Sequence, residues 1–352
     1  MSAASIPAFP EVDASLLEEH RRLRCEATEQ IDALSQEPAD LFRFHGGRRI
    51  VESLANLFLD DRVMLLPPRR RHLHESLERR LGGTAAAFRH IDSRLAMIRL
   101  GHLDQLVGHE TPHVLNAFAE SHEPNDKETN AGLIRLTPSG FDTTQSSFQP
   151  PDGAECAELL DACVDAVNHV NAPAIVRAAW FAAAFLAIHP FVDGNGRTAR
   201  LMFQLISSSD SAERLDWGTV EMFAIARTAY VDALKASQAP SLPEYDGGLI
   251  DVAPFVDHAI RCSIEGATLV QRRVLWFERA WESLEADPAP LRAIDIAVVS
   301  SGGLALDELG ELVDAPEATE VAEALVSAGR LVWDRRGLLR PRADNALLAL
   351  PG

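Results

Sequence analysis

Apolar residues recur at helical spacing along most of the chain. Between residues 15 and 35, Leu16, Leu17, Leu23, Ile31 and Leu34 fall near helical intervals among many charges, which predicts an amphipathic helix. Leu-, Arg- and Ala-rich stretches around 47–58, 69–81 and 84–107 predict more helices, with Pro67-Pro68 and Gly82-Gly83 as breaks. Residues 1–108 therefore read as a helical N-terminal region. From 109 to 130 the periodicity fades into Pro, Asn and charge, as in a loop or joint. The stretch 131–153 then brings β-branched and aromatic residues around Pro138-Ser139-Gly140, as in a short hairpin.

Helical spacing returns at 154–170, 172–188, 195–207 and 220–237, and again at 249–284 after a polar loop. The run Ala178 to Ile188 is the most apolar in the chain, yet too short to cross a bilayer, so it predicts a buried helix. Residues 285–290 form a Pro- and acid-containing linker. Beyond it, an apolar stretch at 292–299 and short helices at 305–313 and 317–328 precede two strands within 330–342, with a tight turn at Arg336-Gly337. Helix, helix, helix and hairpin is a winged-helix order, here spanning 291–352.

Composition narrows the function classes. A formal charge of −19 repels nucleic acid and anionic membrane at long range. The second and third helices of the C-terminal region carry Asp307, Glu308, Glu311, Glu317, Glu320 and Glu323, which suits a protein-docking or dimerising module rather than an operator reader. Arg335, Arg336, Arg340 and Arg342 on the wing read as a solvated edge. Cys25, Cys156, Cys163 and Cys262 lack metal-ligand or CxxC spacing and read as buried thiols, with Cys156 and Cys163 on one helical face. The N-terminus has no basic start with an apolar core, so the expectation is a cytoplasmic chain.

The candidate chemistry lies between two helices, in His189-Pro190-Phe191-Val192-Asp193-Gly194-Asn195-Gly196-Arg197, with Arg200 three residues on. Pro190 cannot continue the preceding helix, so His189 sits at its end. Gly194 and Gly196 permit close backbone approach, and the N-terminus of the next helix offers N–H groups to an anion. Arg197 and Arg200 share a helical face, where two guanidinium forks can hold a polyphosphate. Asp193 supplies a hard oxygen ligand suited to Mg²⁺. A base, a metal ligand and an anion cradle together fit phosphoryl-type transfer.

This stretch resembles the Fic family signature HxFx(D/E)GNGRxxR, with each defined position matched. The resemblance extends over about 131–284, within a core assigned to 109–284. It implies a mainly α fold: a Fic-fold helical core with a small β-hairpin flap at 131–153 and the motif at 189–200. It further implies AMP transfer from ATP, with Mg²⁺, to a Ser, Thr or Tyr hydroxyl of a target protein. On that likeness His189 is the base and Asp193 the metal ligand. Gly194, Asn195 and Gly196 line the anion hole, Arg197 and Arg200 hold the β and γ phosphates, and the flap near 133–137 presents the target as an added strand. Gly196 stands where the phosphorylating branch has lysine, which favours AMP transfer. Use of another nucleotide and removal of AMP stay open, as does a homodimer.

Many members carry an inhibitory (S/T)xxxE(G/N) helix. Ser15 with Glu19, Ser209 with Glu213, and Thr319 with Glu323 have the spacing but are followed by His20, Arg214 and Ala324. Glu265-Gly266 has the ending, but Arg261 stands four residues before. Glu19 is the candidate by position, and an ordinary solvated glutamate is its simpler reading.

Overall fold

The computed structural model describes residues 6–56, 75–121, 130–136, 150–210, 215–238, 250–310, 312–335 and 337–350. In chain order the helices are α1 (Ala14–Ala33), α2 (Gln36–Asn56), α3 (Glu75–Arg99), α4 (Thr111–Glu120), α5 (Gly153–His169), α6 (Ala174–Ile188), α7 (Asn195–Ser207), α8 (Thr219–Ile225), α9 (Arg227–Gln238), α10 (Ala253–Ser283), α11 (Ala289–Ser301), α12 (Leu306–Leu309) and α13 (Ala315–Ser327). Strands β1 (Leu331–Trp333) and β2 (Leu339–Pro341) follow.

The described residues divide into two compact units. One takes the chain up to Arg21, the last turn of α2 from Val51, and α3 through Gly266 of α10; the other takes Arg22–Ile50 and the chain from Ala267 onward.

The first unit is built around α6. Every residue of this helix is buried except Arg177, as expected for a helix that is otherwise apolar all round and surrounded by protein. Arg177 reaches back so that hydrogen bonds offset its partial burial: its guanidinium donates to the carbonyls of Ala172 (3.1 Å) and Val167 (3.3 Å). Trp180, fully buried, donates from Nε1 to the Pro7 carbonyl at 3.0 Å and stacks on Phe9 at 4.2 Å, so the N-terminal segment is tied to this helix. Helices α5 and α7 pack on α6, and α3 and α4 pack on α7. Cys156 and Cys163 share the buried face of α5, and all four cysteines are free thiols, but Cys25 is exposed on α1 rather than buried as expected.

Several boundaries differ from those the sequence predicts. The stretch expected to be a loop contains α4, opened by Pro112 in its first turn; its inward positions include Asn116 and Glu120, so apolar periodicity under-reports it. Gly82-Gly83 lies inside α3 rather than ending a helix. Buried Thr84, Ala87, Ile91 and Leu95 carry one seam along α3, and that packing outweighs the cost of two glycines. The helix expected at 220–237 is broken at Ala226 into α8 and α9. Of the expected flap hairpin, residues 137–149 lie outside the described residues; Ile134 forms an isolated antiparallel bridge with Phe191.

In the second unit, α11 and α13 pack together and against the β1–β2 pair, which is antiparallel in register Leu331↔Pro341, Val332↔Arg340 and Trp333↔Leu339. Leu304 adds a bridge to Leu339. Arg330 joins Asp287 at 2.5 Å and, through Nε, the buried Asp295 at 2.6 Å, while Asn345 donates to the other Asp295 oxygen at 2.9 Å. Arg340 corrects the reading of the wing as wholly solvated: it is buried, donating to Asp334 (2.8 Å) and to the Gly302 carbonyl (3.0 Å). Arg335 and Arg342 are exposed, and Arg336 lies outside the described residues. No described helix is long and apolar enough to cross a membrane.

Candidate active site

The site starts where α6 stops. His189 caps this helix in the left-handed region (φ 51°, ψ 55°) and is the one non-glycine residue with positive φ among those described. Its own N–H still bonds the Phe185 carbonyl at 2.9 Å, so the chain reverses at the imidazole. A left-handed, non-glycine backbone costs about 1 kcal/mol or more, which surrounding contacts must overcome. Arg135 supplies them. Its Nε donates to the His189 carbonyl at 2.7 Å, and its Nη2 donates to Pro151 (2.5 Å) and Ile188 (3.2 Å), while its amide bonds the Pro190 carbonyl at 2.9 Å. The guanidinium thus caps the last carbonyls of α6, which have no partner within the helix.

Removal from water, and next the nearby Arg135 charge, lower the His189 pKa to about 4. A backbone hydrogen bond at Leu186 and the Asp193 charge oppose this without reversing it. The ring is therefore neutral at physiological pH, the form able to take a proton.

The loop to α7 closes on itself through Asn195, whose Oδ1 accepts from the Phe191 amide (3.0 Å) and whose Nδ2 donates to the Phe191 carbonyl (2.8 Å). Phe191 is buried against Phe185 and His113. Asp193 is half-exposed and its Oδ1 accepts from the Gly194 amide at 2.7 Å. Gly194 is the N-cap of α7 at φ 77°, a conformation that favours glycine. Behind it, Gly196 and Arg197 form the first turn, so the amides at this end point away from the helix without i−4 partners.

Helix α4 backs the loop. Asn116 donates from Nδ2 to the Asp193 carbonyl (3.0 Å) and to Thr198 Oγ1 (3.1 Å), and its Oδ1 accepts from the Gly132 amide (2.8 Å). Glu120 forms a buried ion pair with Arg197 (Oε1 to Nη2, 2.5 Å), and Arg197 also donates to the Ala119 carbonyl at 2.7 Å. A Cβ on Gly194 would stand 2.1 Å from Glu120 Oε1, so the cradle is shaped by a side chain that glycine alone accommodates.

Residues 71–207 match the model of the Fic/DOC family. This stretch, under half of the chain, is thus similar to a Fic/DOC domain. Solved structures with a similar fold include a Fic family protein from Desulfovibrio desulfuricans G20, at 14 % identity and TM-score 0.52, covering 96 % of this chain and 98 % of that one. A Fic domain-containing signaling protein from Bacteroides thetaiotaomicron VPI-5482 is similar at 16 % identity and TM-score 0.52, over 73 % of this chain and 98 % of that one. Fic-1 from C. elegans is similar at 21 % identity and TM-score 0.50, over 73 % and 70 % of the two chains. No curated protein matches the chain in sequence. The mainly α class with a Fic-fold helical core read from the sequence is the architecture found.

Within the matched stretch, His189, Asp193, Gly194, Asn195, Gly196 and Arg197 stand along one helix-loop-helix turn. Arg200 points elsewhere. It is 1 % exposed, and its Nε (3.1 Å) and Nη2 (2.5 Å) both donate to the Leu54 carbonyl of α2. Tyr230 is a further neighbour; burial moves the Arg200 pKa down to about 10 and that of Tyr230 up to about 12. Glu19 is exposed on α1, where Arg261 feels its charge. Sequence reasoning missed Asn116, Glu120 and Arg135. The first two sit in the stretch read as a loop, and the third in the stretch read as a flap. A buried-helix reading of Leu115 and Ala119 on one side of 111–120 was the available signal.

Asp193 is a single carboxylate, and the described residues contain no group of three or more His, Cys, Asp or Glu placed to hold a metal. Such a donor set fits Mg²⁺ that arrives with nucleotide phosphates and keeps water ligands, rather than a closed protein site.

Proposed function

We propose that this Fic/DOC protein transfers AMP from ATP to a Ser, Thr or Tyr hydroxyl of a target protein and releases pyrophosphate. The observation that supports it most is the pairing of a neutral His189 with the amide end of α7 across one short turn. The target oxygen would form a bond to the α-phosphorus as the bond to pyrophosphate breaks, and His189 would take the hydroxyl proton. Gly194, Asn195 and Gly196 would place backbone amides against the phosphates. Asp193 would hold Mg²⁺, which lends charge neutralisation to the polyphosphate.

Arg197 and Arg200 are the expected phosphate ligands. In this conformation Arg197 braces the cradle through Glu120, and a direct phosphate contact from Arg200 requires it to leave the Leu54 carbonyl. Leu133, Leu136 and Val192 are exposed apolar residues beside the Ile134–Phe191 bridge, which suits a target segment added as a strand. The exposed acids Asp307, Glu317, Glu320 and Glu323 disfavour a nucleic-acid partner for the C-terminal unit.

Incubation of the wild type and His189→Ala with α-labelled ATP, Mg²⁺ and a cell lysate tests the reading. Protein-bound label is expected with the wild type and lost, by about a hundredfold or more, with the variant. Equal labelling by both would end this assignment. Label from the γ position would instead indicate phosphoryl transfer.

A further inference from the structure

Asn116 lies on α4, outside the motif, yet its amide joins three segments that the chemistry needs in fixed relation. It is 1 % exposed. Its oxygen holds the amide of Gly132, where the flap begins, and its nitrogen holds the Asp193 carbonyl and the Thr198 hydroxyl. The orientation of the amide is dictated by these partners. The Gly132 N–H can only donate, the Asp193 carbonyl can only accept, and Thr198 already donates its own proton to the Gly194 carbonyl at 3.0 Å. Flipping the amide would break all three bonds.

Gly132 is held from its other side as well. Its carbonyl meets His113 Nδ1 at 2.7 Å, and with φ 74° any Cβ there would stand 2.8 Å from the His113 carbonyl. Two residues on, Ile134 bridges Phe191. The flap edge is thus anchored to α4 at one point and to the motif loop at another. Asn116 closes that circuit by tying α4 to the loop at Asp193.

We infer that Asn116 is a positioning residue that sets the flap and the motif loop in register, so that the target strand and the Asp193 carboxylate keep a fixed spacing. This rests on the transfer reading above. A carboxamide is the side chain of this size that both donates and accepts. Aspartate can keep the bond from Gly132 but turns a repelling oxygen toward the Asp193 carbonyl, and leucine keeps the volume without any bond.

The test compares full-length wild type, Asn116→Asp and Asn116→Leu by amide hydrogen exchange at Gly132 and by label transfer from α-labelled ATP. Exchange at Gly132 should accelerate in Asn116→Leu and stay near wild type in Asn116→Asp. Both variants should lose kcat by about ten- to a hundredfold while KM for ATP moves by less than about threefold. Wild-type kcat in Asn116→Asp, or unchanged Gly132 protection in Asn116→Leu, overturns the inference. The exchange readout needs no turnover. If His189→Ala labels as well as the wild type, the assigned reaction fails, and the Gly132 pattern still decides the role of Asn116.

Discussion

Glu120 and Arg197 form an ion pair sealed beneath the motif loop, their carboxylate and guanidinium 2.5 Å apart with side chains 2 % and 10 % exposed. A residue from the signature is thereby locked by one lying 77 positions earlier.

Glu120→Ala leaves the Arg197 charge buried without its partner. Unfolding free energy is expected to fall by about 3–5 kcal/mol, against a smaller loss for Glu120→Gln, which keeps the shape and one acceptor. Urea unfolding measures both. Equal stability of all three proteins would mean that Arg197 is solvated.

Gly194→Ala and Gly196→Ala separate two uses of glycine in the cradle. At Gly194 the new methyl group meets Glu120 at 2.1 Å on a backbone with φ 77°, so the loop must shift, at a cost of about 1–3 kcal/mol. Gly196 lies within α7, where alanine is the better helix former, so stability is expected to hold or rise. ATP affinity, read by titration calorimetry, should fall in both. Unchanged affinity in Gly196→Ala would remove that residue from the anion site.

His189 makes stability fall with acid. Its folded pKa of about 4 lies below the unfolded value of 6.5, so between these values the unfolded chain binds more protons. The stability it contributes is present above about pH 6.5 and declines, by up to about 3 kcal/mol, as pH drops toward 4. His189→Asn should flatten the difference in unfolding free energy between pH 7 and pH 5. Because Arg135 is the second cause of the shift, Arg135→Gln should raise the His189 pKa, which NMR titration of the ring resolves. An unmoved pKa would assign the shift to burial alone.

Arg200 and the Leu54 carbonyl offer a fourth test. If Arg200 turns to a phosphate when ATP and Mg²⁺ bind, peptides covering Val51 to Asn56 should exchange amide hydrogen several-fold faster, about threefold or more, because this part of α2 loses the Arg200 bonds that hold it. Unchanged or slower exchange would leave Arg200 as a structural brace on Leu54.

The backbone course of the turn was legible because it depends on local geometry. Pro190 ends α6, glycine at 194 allows positive φ, and the start of α7 exposes amides, all consequences of residue types a few positions apart. The apolar seams of α5, α6 and α7 were legible for the same reason. Helix α4 was not, since Asn116 and Glu120 face inward and read as polar surface in a one-dimensional pattern. The glycine pair in α3 misled in the opposite direction: a local breaker was overridden by burial along the rest of the helix.

The sequence by itself determined that a histidine, an acid and a glycine-rich helix start would meet in one turn of a mainly helical protein. Only the tertiary structure decided which charges face protein. Arg197 is neutralised by Glu120, Arg200 bonds the Leu54 carbonyl of α2 and Arg135 caps α6, each through a partner tens of residues away or more. Spacing along a helix sets where a side chain leaves the backbone, whereas the cost of burying its charge is met by whatever oxygen the fold brings to it.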